Sequence, residues 1–256
     1  MKRIVAVSLL LAGVLFASAA RCARPKVIAH RGFWKWEGSA QNSIASLRLA
    51  ARCGLWGSEF DVNVTSDGVA VVNHDPVIGG KRIENTPYAE FRDVRLRNGE
   101  RMPTLAEYLA EGKRHPELKL ILELKSARSA EHELRSVEVV LREVERAGVA
   151  RQVEYIAFSR RIVEELLRRD PKLKVAYLNG DIAPEELKRM GCTGLDYSVG
   201  KMRRHPEWFS EARKNRVRTN VWTVNRMEDI RFVTENGAGY ITTDEPLLVE
   251  KILRGK

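Results

Sequence analysis

Residues 58–75 read SEFDVNVTSDGVAVVNHD, and the fold turns on how this stretch divides. Phe60, Val62 and Val64 alternate with Glu59, Asp61 and Asn63. Alternate residues of a strand share a face, so the second set is predicted to line one side together. Asp67-Gly68 predicts a tight hairpin turn, after which VAVVNH, residues 69–74, pairs back on the first strand. The difficulty is Glu59 and Asp61, two carboxylates on a strand that should be buried.

Outward from this stretch the chain alternates. KVIAH, GSEFDVNV, LKLILELK, VEYIAF, LKVAYL, GLDYS, VRTNVWTV and AGYITT are eight strand candidates, with helical spacing between them. In EHELRSVEVVLREVERAG the apolar positions Leu134, Val137, Leu141 and Val144 recur every three to four residues, and Gly148 stands where that helix should stop. Gly191 is a second such stop. Similar faces run from Ile44 to Ala51, Leu105 to Leu109 and Ile162 to Leu167. Strands with near-continuous apolar runs, alternating with helices, are parallel strands covered on both faces. Eight of them in a chain of 256 residues predict an α/β fold, a closed (β/α)8 TIM barrel, which typically takes roughly 250 residues. No GxGxxG follows the first strand, which argues against an open dinucleotide-binding sheet. Pro76 to Pro103, with Gly79-Gly80 and Asn98-Gly99, reads as a small irregular insertion after the second strand.

The amino terminus is set apart. In residues 1–20, Lys2 and Arg3 precede an apolar run of about 15 residues and then small residues, the pattern of a secretory signal peptide and short for a membrane span. The expected organisation is therefore a leader over 1–20 and one catalytic-size domain over 21–256, exported to a periplasmic or extracellular location. Cys22 offers the one route to lipid attachment, but Arg21 before it fits a lipobox poorly. Cys53 and Cys192 read as buried small apolar groups, since the three cysteines match no zinc or redox spacing.

Apolar residues make up 44% and charged residues 30%, an ordinary globular balance with no low-complexity linker. The net charge of +10 falls to +8 once Lys2 and Arg3 are removed with the leader, and favours anionic partners. No strand face interleaves aromatic and basic residues, which argues against nucleic acid.

In such a barrel the reacting groups sit at the carboxyl ends of the strands. There the sequence puts His30 and Arg31 on the first strand, Glu59, Asp61 and Asn63 on the second, and His74 at the hairpin's end. Glu123 and Lys125 end the third, and Asn220, Trp222 and Asn225 the seventh. Ionised carboxylates inside a barrel are costly unless paired or bound to a metal. Glu59, Asp61 and Glu123 suit a hard dication such as Ca2+ or Mg2+. A metal-free ion-pair network with Arg31 and Lys125 fits the same spacing. His30 and His74 at one mouth suit proton transfer. Asp75 either orients His74 or starts a turn before Pro76, and the turn is the preferred reading. HELRS at His132 lacks the second histidine of a zinc-protease helix, and DYSVG at Ser198 lacks the first glycine of a nucleophile elbow.

These pieces, in order, resemble the glycerophosphodiester phosphodiesterase family: AHRG at 29–32, EFD at 59–61, SDGVAVVNHD at 66–75, NGERMPTLAEYL at 98–109, LELK at 122–125, WTVN at 222–225 and TTDEP at 242–246. The resemblance implies a TIM barrel that hydrolyses small-molecule glycerophosphodiesters to sn-glycerol 3-phosphate and an alcohol, with bound Ca2+ or Mg2+. It implies His30 and His74 as general acid and base, Glu59, Asp61 and Glu123 as metal ligands, and Arg31 and Lys125 on the phosphate. Trp222 is a further candidate substrate contact. Many members carry an acid within a PENT-like run after the first strand. Here the run is SAQNS, with Gln41 in that place and Asn42 as a candidate helix cap. Trp34 and Trp36 either line the mouth or pack on the rim. A phosphodiesterase acting on lysophospholipid, phosphatidylinositol-type or other lipid phosphodiesters and a headgroup-binding barrel without turnover are the alternatives.

Overall fold

A computed structural model describes residues 24–255. The expected leader over 1–20 and Cys22 lie outside the described residues. Eight parallel strands close a barrel: β1 (Lys26–Ala29), β2 (Gly57–Val64), then, after the short strands β3 (Ala70–Val72), β4 (Val77–Ile78) and β5 (Lys81–Arg82), β6 (Lys119–Leu124), β7 (Val153–Ala157), β8 (Val175–Tyr177), β9 (Gly194–Ser198), β10 (Arg218–Trp222) and β11 (Tyr240–Thr243). Each pairs in parallel with the next, and β1 pairs with both β2 and β11, which completes the ring. The α/β class and the (β/α)8 barrel expected from the sequence are what the chain forms.

All eight residues of β2 are buried, the apolar half under helices and the polar half inside the barrel. The main core lies between the sheet and its helices. Phe60, Val62, Leu122, Leu124 and Ala157 meet Leu47 of α1 (Ile44–Arg52), Tyr108 and Leu109 of α2 (Leu105–Gly112) and Val137 and Val140 of α3 (Ala130–Ala147) there. Inside the barrel a smaller apolar layer of Ile28, Ile121, Ile156 and Leu178 lies below the polar end. At the opposite end Glu154 pairs with Lys174 at 3.3 Å and Arg218 at 2.7 Å. That end therefore closes on an ion pair of its own.

Local signals start and stop the helices. Thr104 and Glu107 form a reciprocal capping box on α2. Ser129 caps α3, and Gly148 ends it with φ +70°. The buried residues of α3 are Glu133, Ser136, Val137, Val139, Val140 and Val144, while Leu134 is exposed and Leu141 only partly buried. The expected face is thus rotated toward Val140, because the sheet-facing row follows Glu133 and Ser136 rather than Leu134. Cys192 is buried as expected, but Cys53 is exposed just beyond α1 and does not belong to the core.

β3 runs antiparallel to β2, with Val62 opposite Val72 and Val64 opposite Ala70, as the hairpin reading requires. The insertion from Pro76 to Pro103 has its own small core of Val71, Ile83, Phe91 and Met102. Among the described residues no helix is long and apolar enough to cross a membrane.

Candidate active site

At the end of β1 the chain must turn sharply into the loop before α1. Arg31 takes φ +53° and Gly32 φ +76°. A Cβ on Gly32 would lie 2.2 Å from Ser46 Oγ, so only glycine fits. This turn aims the Arg31 backbone N–H at Glu59, to which it donates at 2.7 Å. The Arg31 guanidinium donates to Gln41 Oε1 at 2.8 Å, and its Nε lies 3.6 Å from Asp61 Oδ2. Gln41 thus holds Arg31 rather than adding a fourth carboxylate.

Glu59 and Asp61 point inward from β2, and Glu123 stands directly opposite Asp61 on β6. They are 3%, 1% and 8% exposed, and each offers an oxygen within 4.8 Å of the others'. Lys125 Nζ lies 2.6 Å from Glu123 Oε1 and 3.2 Å from Asp61 Oδ1. Asn42, at φ +60°, donates to Asp61 Oδ2 at 2.9 Å and accepts the Asp61 backbone N–H at 3.1 Å. It is therefore a clamp on Asp61 and not the expected helix cap, which is Ser43.

Electrostatics separate the three acids. Burial, then the charges of Asp61 and Glu123, push Glu59 well above the ordinary carboxylate range. Burial and Asp61 push Glu123 up to about 7. Burial pushes Asp61 the same way, but Lys125 and the Asn42 hydrogen bond outweigh it and hold Asp61 below its ordinary value. Glu59 Oε1 is buried with no hydrogen-bond partner. A buried carboxylate oxygen with no donor, facing two more carboxylates, fits a cation-binding site and fits a self-sufficient ion-pair network poorly.

Two histidines reach this end of the barrel, each with its Nδ1 against a carboxylate. His30 Nδ1 is 2.8 Å from Asp244 Oδ1, and His74 Nδ1 is 2.8 Å from Asp75 Oδ1. Asp75 therefore contacts His74, against the preferred turn reading, although its side chain is 76% exposed. Burial, helped by the Lys125 and Arg31 charges, lowers the His74 pKa against the pull of Asp61. Arg31, Asn42, His74, Asp75, Trp34 and Trp36 line a cleft of about 650 Å³. Trp36 stands 54% exposed at its rim. Trp222 ends β10, its ring nearly perpendicular to Phe158 with centroids 5.6 Å apart and its N–H donated to the Asp196 carbonyl at 2.9 Å.

Sequence reading gave no role to Asp244. The residue sits in the TTDEP stretch, and only the neighbouring position of β1 and β11, Ala29 beside Thr243, shows that it meets His30. The role of Asn42 was equally hidden, since nothing local distinguishes a strand clamp from a cap.

A sequence profile of the glycerophosphoryl diester phosphodiesterase family matches residues 30–248. A glycerophosphodiester phosphodiesterase from Parabacteroides distasonis superposes with a TM-score of 0.89 at 43% identity, over 91% of this chain and 98% of that one. One from Caldanaerobacter subterraneus is 27% identical, over 89% of this chain and 97% of its relative. An Oleispira antarctica phosphodiesterase, solved with the product sn-glycerol-3-phosphate, shares the fold with a TM-score of 0.74 at 22% identity, over 90% of this chain and 97% of that one.

Proposed function

The chain belongs to the glycerophosphoryl diester phosphodiesterase family, and on that footing we propose that it hydrolyses small glycerophosphodiesters to sn-glycerol 3-phosphate and an alcohol. One observation carries the reading: three inward carboxylates and Lys125 converge at the mouth that also holds His30 and His74.

Glu59, Asp61 and Glu123 are the residues that would hold a divalent cation. All three offer oxygen, which suits Ca2+ or Mg2+ over softer metals. A dication held there would supply Lewis-acid stabilisation of the phosphate's negative charge. Arg31 and Lys125 take up the charge that develops on the phosphate oxygens. One histidine removes the proton of the attacking oxygen, from water or the substrate's own glycerol hydroxyl, as its bond to phosphorus forms. The other gives a proton to the alcohol oxygen as its bond to phosphorus breaks. Trp34 lines the cleft beside Arg31 and His74, and Trp222, packed on Phe158 at the end of β10, is the further candidate substrate contact.

Glycerol 3-phosphate release from glycerophosphocholine and glycerophosphoethanolamine tests the reading. Activity should vanish with EDTA and return with Ca2+ or Mg2+. A folded sample inactive with every cation would overturn it. The exposed Trp36 supports a second substrate class, lysophospholipids presented at an interface, and product analysis separates the two. The Lys2-Arg3 leader pattern supports export, which cell fractionation tests.

A further inference from the structure

We propose that Asp244 is the positioning residue for His30, fixing which ring nitrogen carries the proton and where the other nitrogen points. The inference rests on the acid–base role proposed for His30. Three donors hold the carboxylate: Oδ1 accepts from His30 Nδ1 at 2.8 Å and Trp34 Nε1 at 3.0 Å, and Oδ2 accepts from Asn225 Nδ2 at 2.8 Å.

The Asn225 amide cannot turn over. Its Oδ1 accepts the Asp244 backbone N–H at 2.9 Å and the Thr243 hydroxyl at 3.0 Å, so its NH2 must face the carboxylate. With both oxygens facing donors, Asp244 stays ionised. Although burial pushes its pKa up, the His30 hydrogen bond and the Asn225 and Trp34 donors hold it far below the ordinary range. An ionised, immobile carboxylate requires Nδ1 of His30 to be the protonated nitrogen. Nε2 is then left to exchange the proton at the reacting atoms, and the carboxylate stabilises the imidazolium when it forms.

The second histidine lacks this support. Asp75 is largely in water and is the residue next to His74 in sequence, so it anchors the ring to no other element. Asp244 instead ties the ring across the seam where the first and last barrel strands meet, beside the His30 N–H donating to the Thr243 carbonyl at 2.9 Å.

The test combines kinetics with a tautomer readout. Long-range 1H–15N spectra of the wild-type imidazoles, taken at a pH where His30 is neutral, should show His30 as the Nδ1–H tautomer. In Asp244→Asn, one amide oxygen or NH2 must replace an acceptor, and the His30 signal should shift toward the Nε2–H form. The same variant should lose about 100-fold or more in kcat with KM within about threefold of wild type. Trp34→Phe, which removes one donor and keeps the ring, should lose under about tenfold. A wild-type Nε2–H tautomer, or Asp244→Asn turnover within about threefold of wild type, would overturn the proposal. If the wild type hydrolyses no glycerophosphodiester, the reaction assigned above fails, while the tautomer spectra still decide the dyad.

Discussion

Asp61 and Glu123 face each other across the β2–β6 pair, and a single ammonium, Lys125 Nζ, serves both. With the Arg31 guanidinium 3.6 Å from Asp61, two cations stand against three buried carboxylates, which leaves the cluster short of positive charge. Its behaviour without metal should reveal the deficit.

Glu123 titrates at about 7 in the fold against an ordinary 4.5, because burial and Asp61 disfavour its charge. The metal-free fold therefore binds this proton more tightly than the unfolded chain. The associated stability is fully present below about pH 4.5 and is lost as pH rises through about 7. Asp61, held low, is already ionised over most of this range. In EDTA the melting temperature should fall between pH 5 and 8, and Ca2+ or Mg2+ should flatten the dependence. A pH-independent melt in EDTA would contradict the account.

Glu123→Gln should trade function for stability. It removes one repelling charge while Lys125 keeps Asp61, so the metal-free melt at pH 8 should rise by about 2–4 °C per kcal/mol regained. Calorimetric titration should then show cation affinity lost, and turnover lost with it.

Asn42→Ala removes both hydrogen bonds to Asp61 and puts a Cβ-bearing residue without a polar side chain at φ +60°. A loss of about 2–3 kcal/mol in stability and about 10–100-fold in cation affinity is expected. Asn42→Gly separates the causes: it restores the backbone's freedom and should recover part of the stability but none of the affinity.

His30→Ala and His74→Ala should each cost about 100-fold or more in kcat. Asp75→Asn should cost under about tenfold, because a solvated carboxylate contributes little to a neighbouring charge. Near-normal turnover in either histidine variant would remove that residue from the mechanism.

A control away from the site lies in the Arg48–Glu111 pair, a two-point contact at 2.8 and 2.9 Å that ties α1 to α2. The Arg48 hydrogen bond lowers Glu111 to about 2, despite the opposing effect of burial. Here the folded value lies below the ordinary 4.5, so the stability is present above about pH 4.5 and is lost as pH falls toward 2. Glu111→Gln should melt below wild type at pH 7, converge with it near pH 2, and leave turnover unchanged.

The barrel was legible because short β-rich runs, most of them near-continuously apolar, alternate eight times with longer amphipathic helices. Glu59, Asp61, Glu123 and Lys125 were legible because a two-residue spacing on a strand fixes their common side. The α3 stripe was misplaced because Leu134 and Leu141 continue the helical spacing of Val137 and Val144 onto a side that the sheet does not fully cover. Asp244 and Asn42 were missed for another reason: their partners lie 214 and 19 residues away in sequence. Such contacts follow from strand register and loop path, which local pattern does not encode.

The seam between β1 and β11 also has a temporal meaning. His30 follows the first barrel strand to leave the ribosome, and Asp244 follows the last. Glu59, Asp61 and Glu123 all lie in the first half of the chain, but the ring of His30 gains its carboxylate only after nearly everything else is synthesised. A chain stopped short of β11 has neither Asp244 nor the strand whose pairing with β1 and β10 closes the barrel, so the last partner of His30 and the closure of the fold arrive together.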